Sequence, residues 1–192
     1  DQVLRMAVET VAGRVPVLTG VAEYTTDMAV DHVRRAEAAG IDGLMVLPCM
    51  VYPQDQREAV AHFRAVAQST DLPMMIYNNP VAYKVDVSPA SFTGLADCET
   101  IVAVKESSHD SRRITDMFNA CGNRYQIFCG VDDLLVENVL FGAVGWVCGL
   151  VNSFPKEAVR LFELARDQRV EEAAELYRWF MPLLHLDVDV KL

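Results

Sequence analysis

Tyr77 in "IYNNP" (76–80) and Lys105 in "IVAVKESS" (101–108) are of types that together can do carbonyl chemistry. Four apolar residues, Ile101 to Val104, run straight into the lysine. That is the pattern of a strand covered on both faces, with an amine where it surfaces. A lysine there has two readings. It either solvates the rim, or it supplies a free amine that condenses with a ketone to an iminium. An ordinary lysine, pKa ~10.4, is almost wholly ammonium at neutral pH, so the second reading needs burial to disfavour the charged form. Tyr77 closes the preceding apolar run, "PMMIYNN" (73–79). It is either a core aromatic with its hydroxyl at the rim or a proton shuttle for the carbinolamine and the departing group. Neighbouring parallel strands lie about 5 Å apart, so phenol and amine can share one mouth.

The elements that must position this pair form a repeat. Short, near-continuous apolar runs occur at 15–21, 43–48, 73–79, 101–107, 125–130 and 145–150. Between them lie helical patterns. "TTDMAVDHVRRAEAAG" has Thr25 or Thr26 as cap and Gly40 as terminator, and "SPASFTGLA" offers Ser88 as cap with Pro89 in the first turn. "QDQREAVAHFRAVAQST" and "DSRRITDMFNACG" read the same way. Six β-α units point to a parallel sheet, either open and doubly wound or closed as a (β/α)8 barrel. Both architectures place chemistry at the carboxyl ends of the strands. No G-x-G-x-x-G or P-loop follows a strand, which weakens the nucleotide-binding open sheet. The chain opens mid-helix in character with "DQVLRMAVETVAG", so the expectation is a TIM barrel lacking its first two β/α units, with more chain upstream. No linker divides residues 1–192, which read as a single partial barrel domain with C-terminal helices from about 155.

Composition excludes several classes of function. Of 192 residues, 52% are hydrophobic and 23% charged, as in a soluble globular protein and not a disordered or fibrous one. A net charge of −10 argues against nucleic acid or an anionic membrane as partner. No apolar run reaches the ~18 residues of a membrane span, and no signal peptide is expected. Cys49, Cys98, Cys121, Cys129 and Cys148 form no C-x-x-C pair and read as reduced thiols of a cytoplasmic protein. The four histidines are scattered, so no metal site is expected.

The remaining strand ends carry Thr19 and Gly20, Pro48 and Cys49, then Gly130, Asp132 and Asp133, then Val147, Cys148 and Gly149. Gly130, Asp132, Val147 and Cys148 are the candidate substrate-binding residues. Asp132 stands where it either lines that mouth or caps the helix that starts near Leu134. Glu106 faces away from Lys105 across the strand and is assigned a structural role, as an ion pair.

"IYNNP" followed by "VAVKES", with the lysine 28 residues after the tyrosine, resembles the dihydrodipicolinate synthase / N-acetylneuraminate lyase family. "GLMVLP", "GVDD", "GAVGWVCGLVN" and "FMPLLH" extend the resemblance through nearly the whole chain. It implies a class I aldolase-like (β/α)8 barrel without cofactor, a homo-dimer or tetramer, acting on a pyruvate-like 2-oxo acid. Lys105 resembles the iminium-forming lysine, Tyr77 the proton-relay tyrosine and Gly130 a pocket glycine.

Departures from the pattern narrow the activity. The family's G-T-T-G-E carboxylate loop is absent. Cys49 and Met50 stand where dihydrodipicolinate synthases carry a tyrosine pair, with Tyr52 close by. Ala82 stands where they carry an arginine, with Lys84 a possible surrogate. An apolar wall of Cys49, Met50, Ala82 and Trp146 suits a small or weakly charged substrate tail. The alternatives are therefore a pyrroline-4-hydroxy-2-carboxylate deaminase, a true dihydrodipicolinate synthase, or a non-catalytic keto-acid-binding barrel. A PLP-dependent barrel would need a phosphate-gripping loop that the sequence lacks.

Overall fold

The computed structural model describes residues 1–189. Six strands form one parallel sheet: β1 (Leu18–Val21), β2 (Gly43–Val46), β3 (Met74–Asn78), β4 (Ile101–Glu106), β5 (Gln126–Cys129) and β6 (Gly145–Trp146). Their spatial order is their sequence order, β1 through β6. A doubly wound sheet reverses direction at a switch point between its halves. This order never reverses, which is the order of a barrel wall. The apolar runs all become strands, but shorter ones. The last run forms a ladder only at Gly145–Trp146, because the chain then bends into a 3-10 turn at Leu150–Asn152.

Helices α1 (Gln2–Val11), α2 (Thr26–Ala38), α3 (Gln56–Ala67), α4 (Pro80–Tyr83), α5 (Pro89–Thr93), α6 (Arg112–Cys121), α7 (Leu135–Leu140), α8 (Pro155–Arg166) and α9 (Val170–Asp189) connect or follow the strands. Their starts are chemically marked. Thr25 accepts from the Met28 amide, Asp55 and Glu58 form a reciprocal capping box, and Ser88 accepts from Ser91 ahead of Pro89. Gly40, with φ +84, supplies the left-handed turn after α2. The four-residue helix α4 was not expected from the sequence. It starts at Pro80, and Asn79 caps it by accepting from the Ala82 amide.

One apolar core fills the space between the sheet and α2, α3, α5 and α6, taking Leu44, Val46, Met74, Ile76, Ile101 and Val104 from the strands. A second gathers Cys129 with residues of α7, α8 and α9, among them Leu135, Leu161 and Phe180. Arg124 ties the loop before β5 to the preceding unit, donating to the carbonyls of Ala96, Cys98 and Ile101 at 2.8–2.9 Å.

One irregularity matters for the site. Along β3 and β4 Met74 pairs with Ile101 but Met75 pairs with Ala103, so Val102 is passed over. Ile101 and Val104 both enter the helix-side core, three residues apart. An unbroken strand alternates faces with period two and cannot do that. The bulge at Val102 reverses the phase of β4.

Candidate active site

Because β4 changes phase, its last residues fall opposite β3 in a useful way. Tyr77 pairs with Lys105, and Asn78 with Glu106. Ile76 is in the helix-side core, so Tyr77 faces the opposite side. Lys105 joins it there, with Nζ 3.8 Å from the centroid of the tyrosine ring and the residue only 9% exposed. The ring face stabilises a cation electrostatically. Asn79 Nδ2 donates to the Tyr77 hydroxyl at 3.1 Å, and the Tyr83 ring meets Tyr77 edge-on at 5.6 Å.

Gly130 follows β5 and donates its amide to the Glu106 carbonyl at 2.9 Å. A Cβ at this position would lie 2.0 Å from Ser107 Oγ, 2.7 Å from Lys105 Cγ and 2.9 Å from Lys105 Cε. The glycine is therefore the hollow in which the lysine shaft lies. Ser107 was not singled out from sequence, although the period-two step from Lys105 puts it on the same face. Its hydroxyl is buried and, among the described residues, has no hydrogen-bond partner.

The next pair turns the other way. Asn78 Nδ2 donates to Glu106 Oε2 at 3.0 Å and to Asp86 Oδ1 at 3.2 Å, while Asn78 Oδ1 accepts from the Val87 amide. The Ser108 amide donates to Glu106 Oε1 at 2.7 Å. Burial pushes the Glu106 carboxyl above its ordinary range, opposed by these two donors and by the charge of Arg113. The ion pair expected for Glu106 is thus a hydrogen-bonded clamp instead. Arg113 bonds Asp86, at 2.7 Å.

Asp132, Val147 and Cys148 lie at the ends of β5 and β6. The Asp132 carboxylate accepts from Trp146 Nε1 at 3.1 Å, from the Cys148 thiol at 3.4 Å and from the Leu150 amide at 3.3 Å. The 3-10 turn Asp132–Leu134 and α7 after it begin without a side-chain cap. Burial and the Asp132 charge push the Cys148 thiol up to about 12. The Val147 amide continues the ladder to the Cys129 carbonyl. Cys148 and Trp146 also line an apolar cavity of about 310 Å³ with Phe128, the β5 partner of Lys105. Asp133 holds α9 through His185 and the hydroxyl of Tyr177.

The residues at the positions that depart from the family pattern are engaged elsewhere. The Tyr52 hydroxyl donates to Glu58 at 2.8 Å, and Lys84 Nζ to the Val81 carbonyl at 2.7 Å. Cys49 packs against α3, its Sγ 3.0 Å from His62 Nδ1, with Thr26 Oγ1 also 3.0 Å from that nitrogen. His62 Nε2 lies 3.0 Å from the Leu47 carbonyl. That contact requires a proton on Nε2 and leaves Nδ1 as the acceptor for the thiol or hydroxyl. Residues 13 apart meet here through packing, and no local signal announces it.

The fold and the sequence are both similar to those of known proteins. Over 192 residues the chain is 28% identical to the 4-hydroxy-tetrahydrodipicolinate synthase of Alkaliphilus oremlandii, covering 98% of this chain and 66% of that protein. The crystal structure of dihydrodipicolinate synthase from Aquifex aeolicus superposes with a TM-score of 0.93 at 30% identity, covering 99% of this chain and 65% of that one. A prophage protein of the dihydrodipicolinic acid synthase family from E. coli K12, solved in complex with pyruvate, gives 0.87 at 27% identity, covering 95% and 62%. The chain spans 56–66% of the length of the curated relatives it matches. The family model of the dihydrodipicolinate synthetases matches residues 1–189, and the chain belongs to that family.

Proposed function

We propose that the protein is a Schiff-base-forming lyase or synthase acting on a 2-oxo acid such as pyruvate, with Lys105 as nucleophile and Tyr77 as proton relay. The observation that carries the reading is the lysine Nζ held 3.8 Å over the tyrosine ring. The six strands correspond to six of the eight of a (β/α)8 barrel, and the site lies at their carboxyl ends. In its amine form Lys105 attacks the ketone carbon, and the carbonyl oxygen takes up a proton to give a carbinolamine. Tyr77 protonates the departing hydroxyl, water leaves, and an iminium remains. The iminium draws electrons from the neighbouring carbon, so loss of a proton or of a substituent there gives an enamine. The enamine carbon then takes up a proton or the second substrate, which restores an iminium, and water hydrolyses that iminium to release the product and return the amine. Ser107 is placed to hydrogen-bond the carbinolamine oxygen, which would give its hydroxyl a partner.

The choice of second substrate differs from that of the lysine-biosynthetic synthase. Cys49, Met50 and Ala82 replace its tyrosines and arginine, and the side chains of Tyr52 and Lys84 are bonded elsewhere. A hydroxylated pyrroline carboxylate or a deoxy sugar acid therefore heads the panel of substrates to test.

Incubation of the full-length protein with pyruvate and cyanoborohydride tests the core of the reading. Mass spectrometry is expected to find Lys105 carrying the mass of pyruvic acid less one oxygen, and a folded Lys105→Ala variant is expected to carry none. A folded wild-type protein without adduct would leave a keto-acid-binding module in its place.

A further inference from the structure

The side-chain clamp on the far side of β3 and β4 is built at the one register position next to the catalytic pair. Tyr77 and Lys105 are partners on one face, and the following partners, Asn78 and Glu106, join side chain to side chain on the other. Both are buried, at 1% and 2% exposure. Apolar residues of similar volume would fill such a place at least as stably, whereas buried polar groups are well attested as devices that fix register. Register is in question here. The bulge at Val102, which is 39% exposed, makes the phase of β4 differ before and after it. If the bulge closed, the residues beyond it would slip by one and exchange faces. Lys105 would then point into the helix-side core and Glu106 into the mouth.

We propose that Asn78 and Glu106 are positioning residues that lock the inward phase of Lys105 set by the Val102 bulge. The lock resists a slip because its bonds are specific to this register. Asn78 spends its amide nitrogen on Glu106 and Asp86, and its oxygen on the Val87 amide. Glu106 spends its second oxygen on Ser108. Arg113 anchors the outer end through Asp86. A slipped strand would break the Asn78–Glu106 bond and bring the polar end of Lys105 into the helix-side core, which is costly. The proposal rests on the Schiff-base reading for its functional meaning, but its structural content can be read separately.

Two measurements on the full-length protein test it. In Glu106→Ala, the rate of cyanoborohydride trapping at saturating pyruvate, per folded molecule, is expected to fall about ten-fold or more. Glu106→Gln, which keeps one acceptor, should fall less, and half-saturating pyruvate should move little in either. A purely structural role would lower the melting temperature and leave the trapping rate of the folded fraction unchanged. Crystal structures of the same variants should show Nζ displaced from the Tyr77 ring. Folded variants that trap at the wild-type rate with Nζ in place would overturn the inference. If Glu106→Ala does not fold, Glu106→Gln and Asn78→Ser decide it by the same readouts. If the wild type itself traps no pyruvate, the Schiff-base reading fails, and the position of Nζ in the variant crystals alone decides the lock.

Discussion

Adding one methyl group at Gly130 probes the site without touching a reacting atom. The new Cβ would stand 2.7 Å from Lys105 Cγ and 2.9 Å from Cε, where ordinary contact begins at 3.4 Å. The shortfall at Cγ is thus about 0.7 Å. Ser107 Oγ, at 2.0 Å, can rotate away because, among the described residues, it has no hydrogen bond to lose. The lysine Cγ is close to its own backbone and cannot move without re-aiming the whole side chain. The displacement reaching Nζ is then on the order of 1 Å, enough to cost about 100-fold in a positioned reaction. Overpacking should cost about 1–3 kcal/mol of stability as well. The assay is the rate of reductive trapping by pyruvate, normalised to the folded fraction from circular dichroism. Gly130→Ala is expected to be about 100-fold slower than wild type. Trapping within threefold of wild type, in a folded variant, would show that the hollow at Gly130 does not set the position of the amine.

Three further outcomes are expected. Tyr77→Phe keeps the ring beneath Nζ but removes the hydroxyl, so turnover should fall about 10²–10⁴-fold while half-saturating pyruvate changes little, as steady-state kinetics would show. Arg124→Ala leaves three backbone carbonyls without their charged donor and should lose about 1.5–3 kcal/mol in urea unfolding. Burial lowers the His62 pKa below 6.5, outweighing its bond to the Leu47 carbonyl. The folded state therefore resists a proton that the unfolded chain accepts. Stability present above pH ~6.5 is lost as pH falls from there toward the lowered folded value. Unfolding midpoints between pH 7 and 5 should fall less steeply in His62→Gln than in wild type.

The strands were legible because burial on both faces leaves unbroken apolar runs such as Met74–Ile76 and Ile101–Val104, and a parallel ladder demands helices between them. The helix starts were legible because Thr25, Asp55 and Ser88 are caps by chemistry alone. That Lys105 and Tyr77 end neighbouring strands was legible for a related reason, since an amine ending an apolar strand is conspicuous. The bulge was not legible. "IVAVKES" carries no glycine, proline or turn residue to mark a change of phase, and Val102 looks like its neighbours. Counting by twos from Ile101 in the helix-side core would have sent Lys105 into that core too. The partners of Asp132 and the Cys49–His62 contact were hidden for another reason. Each depends on where the chain after β2 or β6 turns once the sheet is laid down, which no local pattern sets.

The placement of the chemistry on β3, β4 and β5 has a consequence for what holds it. Tyr77, Lys105 and Gly130 come from three consecutive strands, and each contact among them runs between nearest neighbours in the ladder. The relative position of amine and phenol is therefore fixed by one register, that of β3 on β4, and not by closure of a ring of strands. Side chains guard that register from outside, through Asn78, Glu106, Asp86 and Arg113. Gly130 guards the lysine shaft from the next strand over. In the proposed reading, substrate choice rests on other parts, the segments after β2 and β3 that carry Met50 and Ala82. If the proposed function holds, a site divided in this way can keep its iminium chemistry while its second substrate changes. Exchanging Ala82 for arginine should accordingly alter which acceptor is turned over and leave the trapping of pyruvate on Lys105 as it was.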